Sequence, residues 1–134
     1  MKLQDFDLRV WNDKLGGYAE SPFYFLYLYT TGQEIHTKID NKEINPCIEL
    51  WSGFRDKNGT KIYEGDIVSF EADSHDMGIL IIAGKVVFKN GRFIIEGYEK
   101  IFPHYSFYDF VLKDKGIKII GNIHENPELL GGEE

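Results

Sequence analysis

Side chains able to do chemistry are present in this chain, but they are scattered. The four histidines, His36, His75, His104 and His124, are far apart, with no pair at metal-ligand spacing on one element. His75 beside Asp73 and Asp76 is the only local mixture of ligand types. A solvated loop accounts for it, because a metal site needs several converging ligands. Cys47 has no neighbouring histidine or cation to favour its thiolate, so a buried thiol is the default reading. No serine or cysteine sits in a recognisable nucleophile elbow. Glu64 and Asp66 fall in a turn, where carboxylate catalysis would need a cleft. Gly16-Gly17 lacks the lysine and helix pattern of a phosphate loop. No catalytic, cofactor-binding or metal-binding residues are therefore expected, and the chain reads as a non-enzyme.

Composition narrows the class. A length of 134 residues fits one domain, with a core large enough to support itself. Apolar residues make up 43% and charged residues 28%, near the average for a soluble globular domain. Aromatics stand out at 15%, with ten Phe, eight Tyr and two Trp, and such side chains favour pleated surfaces. A mainly β fold is expected, with room for α+β character in one or two short helical turns. The net charge of −7 works against phosphate-backbone binding, which draws its free energy from cationic contacts. The apolar runs Phe23–Tyr29 and Gly78–Gly84 fall far short of the ~20 residues that span a bilayer. The first residues show no signal-peptide pattern, and a single cysteine excludes an internal disulfide. The expected location is the cytoplasm, without membrane contact.

Strands can be read along the chain. Phe6–Trp11 alternates apolar and polar, and Asn12–Gly17 reads as a turn. The dense aromatic run Phe23–Tyr29 suits a strand covered on both sides, or covered on one side by a second copy of the chain. Gly32–Lys38 is a plausible return strand, and Cys47–Trp51 is another. Asn58-Gly59 predicts a tight type I′ hairpin, and Glu64-Gly65-Asp66 a second turn before Ile67–Phe70. Glu71–Gly78 is polar enough for an exposed loop. Ile79–Ile82 and Lys85–Phe88 flank Ala83-Gly84, and Asn90-Gly91 makes a further hairpin leading to Arg92–Ile95. Ile101–Leu112 fits neither period. Ile117–Ile120 reads as a strand, and Asn126-Pro127-Glu128 as a capped helical turn.

Three segments carry a resemblance. They are Phe6–Asn12, Gly53–Val68 (Gly-Phe-Arg-Asp-Lys-Asn-Gly-Thr-Lys-Ile-Tyr-Glu-Gly-Asp-Ile-Val) and Ile120–Leu130 (Ile-Gly-Asn-Ile-His-Glu-Asn-Pro-Glu-Leu-Leu). As an ordered set they resemble the YopX family of small phage and prophage proteins, a family without an assigned activity. Asn12 and His124 stand where the family more often has Asp and Tyr. The resemblance implies a small SH3-like β-barrel around residues 50–96 with flanking strands, in a single domain over 1–134. Its parts would be N-terminal strands over about 1–46, a barrel-like centre over about 47–123, and a capped turn and tail over 124–134. No catalytic set comes with the family.

The expected function is that of a phage or prophage accessory protein acting by contact with a host or phage protein. A nucleic-acid-binding small barrel is the first alternative, and an unrecognised enzyme the second. Candidate surface residues are Tyr27 and Tyr29 in the aromatic run, where self-association into a homo-oligomer is also expected. Arg55, Lys57, Tyr63 and Glu64 are the candidates around the central turns, together with Asp56.

Overall fold

The computed structural model describes residues 1–31, 38–39, 42–43, 46–74, 76, 78–96 and 116–130. The chain divides into two compact units, Met1–Leu50 and Trp51–Glu134. The expected β-rich class holds. No helix among the described residues is long and apolar enough to cross a membrane.

In the first unit, β1 (Leu8–Asn12) is the expected opening strand, with Leu8, Val10 and Trp11 buried. The turn after it is held by Asn12, whose backbone oxygen accepts from Gly16 N at 2.8 Å and whose Oδ1 accepts from Lys14 N at 3.1 Å. Gly16 takes φ 69°, which a side chain would disfavour. The chain returns as β2 (Gly17–Tyr18), placing Tyr18 edge-on to Trp11 at 5.0 Å. On its other side β1 pairs antiparallel with the start of β5 (Cys47–Arg55), with Val10 opposite Ile48. A small hairpin, β3 (Lys38–Ile39) and β4 (Lys42–Glu43), precedes it.

The aromatic run is a helix, not the expected strand. α1 spans Pro22–Thr30. Ser21-Pro22 is a helix-start signal, because proline at the first helical position lacks only an N–H that would have no partner there. The first helical bond runs from Phe25 N to the Ser21 carbonyl at 2.9 Å. From Phe23 to Tyr29 no residue is β-branched, so the usual entropic resistance to helix is missing. The helix ends where Thr30 and Thr31 hydroxyls both donate back to the Tyr27 carbonyl. Of the expected return strand Gly32–Lys38, residues 32–37 lie outside the described residues.

The second unit is built on an antiparallel sheet in the order β10–β7–β8–β9, a curled half-barrel. Its strands are β7 (Asp66–Ser74), β8 (Gly78–Lys89), β9 (Arg92–Glu96) and β10 (Lys118–Asn122). Beside it, the end of β5 pairs with β6 (Lys61–Tyr63), matching Trp51 with Tyr63 and Arg55 with Lys61. Its core is Ile62, Val68, Phe70, Val86, Ile95 and Ile117, with Phe54, Phe93 and Ile119 against it.

One expected loop is shorter than expected, and one expected break is absent. Of Glu71–Gly78, Glu71–Ser74 is ladder, with Glu71 opposite Ile81 and Ser74 opposite Gly78. Its polar residues belong to a hairpin arm that pairs backbone to backbone between the two strands. Ala83-Gly84 likewise lies inside one continuous β8. That strand pairs with β7 through 78–85 and with β9 through 85–89. Gly84 sits where the partner changes, and a Cβ there would meet the Ile95 side chain at 2.7 Å and the Glu96 carbonyl at 2.9 Å. The missing side chain is what lets β9 approach. The Asn90-Gly91 hairpin is as expected, with φ 54° and 79°. Ile101–Leu112 lies outside the described residues.

Gly84→Ala should therefore lower stability by about 1–3 kcal/mol through overpacking against a backbone carbonyl. The denaturant midpoint measures this. An unchanged midpoint would mean that β8 bends without the gap.

Candidate functional site

The central motif is organised around a buried carboxylate. Asp56 follows β5 and is only 8% exposed. Its Oδ1 accepts from Asn58 N and Thr60 N, both at 2.9 Å. Its Oδ2 accepts from Ile119 N on β10 at 3.2 Å, a residue 63 positions later. The backbone closes the same loop, with Asp56 N donating to Thr60 O at 2.7 Å and Gly59 N to Asp56 O at 2.9 Å. Lys57 N donates to Ile117 O at 2.9 Å, a second tie to the stretch leading into β10. The hairpin is not type I′, because Gly59 alone turns left-handed (φ 85°) and Asn90 is the one non-glycine with positive φ among the described residues. It is a three-residue loop in which a turn is followed by a left-handed glycine. Asp56 is a structural residue of this loop.

The remaining signature residues hold turns in the same way. Asp66 is buried and its Oδ2 accepts from Tyr63 N at 2.8 Å. Gly65, at φ 90°, donates its N–H to Val86 O and accepts from Ile123 N through its carbonyl. Asn122 Oδ1 accepts from His124 N and Glu125 N, while Asn122 N donates to Asn126 Oδ1. A Cβ on Gly121 would lie 2.6 Å from that same Oδ1. Pro127–Leu130 forms a 3-10 turn, and Leu129 N donates to the Asn126 carbonyl at 3.1 Å. The expected helical turn is present as a 3-10 turn, but Asn126 Oδ1 reaches back to Asn122 N and does not cap it.

Outward-facing side chains are what remain for recognition. Arg55 is exposed, its guanidinium 5.6 Å from the Trp51 ring centre and donating to Gly59 O. Lys61 Nζ lies 4.6 Å from the same ring. Lys57 is exposed on the loop, and Tyr63 and Glu64 are half-buried. Lys57 also lines an open cleft of about 190 Å³ with Ser69, Phe70, Glu71, Ile81, Gly116 and Lys118. Trp51, Lys61 and Lys118 were not among the sequence candidates. The first two could have been found from their positions on either side of the Asn-Gly turn. Lys118 had no local signal, since only the β10–β7 pairing brings it beside Ser69.

The first unit has its own polar centre. Buried Glu49 accepts from Arg9 Nε at 2.7 Å and from the Tyr18 hydroxyl at 2.9 Å. The Arg9 guanidinium also lies 4.6 Å from the Tyr18 ring centre. Cys47 is half-buried, its thiol 3.9 Å from Glu49 Oε2. Tyr27 is exposed on α1, with Tyr24 stacked on it at 6.5 Å. The Tyr29 side chain, His36, His75 and His104 lie outside what is described. His124 is half-buried beside the Asn122 turn.

With turns, register and core in place, the chain can be set beside known proteins. A family model described as YopX protein matches residues 9–131. The chain belongs to the YopX family. A solved structure, the crystal structure of protein EF1440 from Enterococcus faecalis, is similar to it at 25% identity and a TM-score of 0.58. The similarity covers 93% of this chain and 97% of that one. No curated protein matches the chain. Within this YopX protein the signature residues near both turns are occupied by backbone hydrogen bonds.

Asp56→Ala removes three acceptor contacts, and the expected cost is about 3 kcal/mol. Asp56→Asn keeps one acceptor oxygen for the loop but presents an NH2 to Ile119 N, so roughly half that loss is expected. Chemical denaturation of both variants tests the order. Equal, small effects would show that Asp56 does not join the loop to β10.

Proposed function

We propose that this YopX protein is a non-enzymatic accessory protein of phage or prophage origin, acting in the cytoplasm by binding another protein. The observation that supports this reading is the surface of α1. The helix carries no charged residue over Pro22–Thr30, and Phe23, Tyr24 and Tyr27 are 50%, 62% and 61% exposed. Large apolar side chains left together in water favour burial against a partner. Tyrosine suits such a surface, since its ring buries apolar area while its hydroxyl remains hydrated. The family setting supports the phage origin, and a signature whose polar groups hold the fold supports the non-enzymatic reading.

Affinity purification of the tagged chain from host cells, with and without nuclease, tests the reading. A specific protein partner that survives nuclease is expected. Tyr24→Ala combined with Tyr27→Ala should weaken its capture about thirtyfold, the scale of an interface hot spot, with the circular dichroism spectrum unchanged. Light scattering on the same variants identifies the case in which the partner is a second copy. Recovery of nuclease-sensitive material alone would overturn the proposal in favour of nucleic-acid binding.

A further inference from the structure

The outer face of the β7–β8 arm combines cations with exposed aliphatic side chains. Val68 and Phe70 of β7 are buried, so Ser69 and Glu71 between and beyond them lie on the opposite face. The register sets Ala83 opposite Ser69, Ile81 opposite Glu71 and Ile79 opposite Asp73. Ile79 and Ile81 are 62% and 78% exposed, and Ala83 between them and the sheet centre is exposed too. On the other side of β7, Lys118 pairs with Ser69. The loop brings Lys57 to the same place, since a Cβ on Gly116 would lie 3.1 Å from Lys57 Cβ. The Lys57–Lys118 cleft thus opens at one end of an aliphatic stripe.

We infer that this face binds an extended peptide that presents carboxylates beside aliphatic side chains. The inference rests on the reading of the chain as a protein-binding protein and names a partner chemistry for a second surface. Charge complementarity carries it. Lys57 and Lys118 are exposed and make no ion pair with a carboxylate among the described residues, in a chain whose net charge is −7. Ile79 and Ile81 supply the apolar area that two rim lysines alone would lack, because exposed ion pairs contribute little. A single-stranded nucleic acid fits less well. Its bases need open aromatic faces, whereas Trp51 is flanked by Arg55 and Lys61, and the stripe beside the cleft is aliphatic. A long polyanion also meets the repulsion of the whole acidic chain. Glu71 in the cleft lining opposes an acidic ligand placed over it, and Asp73, the register partner of Ile79, is a second acidic position along β7, so the ligand's carboxylates belong at the Lys57–Lys118 end.

The test is fluorescence anisotropy on the full chain with a labelled short peptide alternating Glu with Leu and Ile. Controls are the same peptide with Lys in place of Glu, and a short oligothymidylate. The acidic peptide should bind and the basic one should not. Lys57→Glu with Lys118→Glu should weaken binding about tenfold, and Ile81→Ser severalfold, while Glu71→Gln should tighten it about twofold. These positions are exposed, so circular dichroism should stay unchanged. Equal binding of acidic and basic peptides, or no response to the lysine reversal, would overturn the site. Oligothymidylate that binds more tightly and displaces the peptide would overturn it in favour of nucleic acid. None of these readouts involves α1, so capture through Tyr24 and Tyr27 stands or falls separately.

Discussion

One buried carboxylate holds the second unit to its plan. Removing Asp56 from water is costly unless its oxygens regain strong acceptor contacts, and a charged acceptor binds N–H donors about twice as strongly as a neutral one. Three backbone donors supply them: Asn58, Thr60 and Ile119. The first two shape the loop between β5 and β6. The third ties that loop to β10, which arrives after a long excursion of the chain. Gly65 adds a second tie, joining the next turn to Val86 on β8 and to Ile123 after β10. The central and C-terminal signatures are therefore two halves of one hydrogen-bonded assembly. The core under it (Ile62, Val68, Phe70, Val86, Ile95 and Ile117) draws on the strands those ties hold in place.

Part of this was legible in the sequence because its causes are local. Asn90-Gly91 supplies two left-handed residues in succession, and nothing distant is needed to make a hairpin there. The turn at Asp66 follows from a short side chain accepting a nearby N–H group, and the 3-10 turn from Pro127 at its first position. β1 showed its alternation directly. The role of Asp56 was illegible for the opposite reason. An Asp before Asn-Gly reads as a solvated turn residue, and only the return of β10 places Ile119 N against it.

The misread elements divide by physical cause. Aromatic content argued for a strand over Phe23–Tyr29, but β propensity measures how well a side chain packs on neighbouring strands. With Ser21-Pro22 starting the segment and no β-branched residue before Thr30, helix was the less costly local choice. On the β7–β8 arm, polarity argued for a loop over Glu71–Gly78. A ladder pairs backbone groups between its strands and leaves its outer edges to water, which polar side chains tolerate, so polarity over Glu71–Ser74 did not mark a loop. Gly84 misled in the same sense, since its lack of a side chain serves the approach of β9 and not a break.

These causes also separate the scaffold from the surfaces proposed for recognition. Residues that carry the family resemblance, Asp56, Gly59, Gly65, Asp66, Asn122 and Asn126, have their polar groups or backbone conformations committed to turns. A side chain committed in this way cannot also face a partner without loosening the turn it holds. On the proposed reading, recognition falls to positions where the scaffold asks little: the exposed rings of α1, the lysines at the cleft, and the isoleucines on the outer face of β8. Substitution there changes surface chemistry while the hydrogen-bonded frame stays intact. A fold arranged in this way can keep one signature and still present different partners with different surfaces.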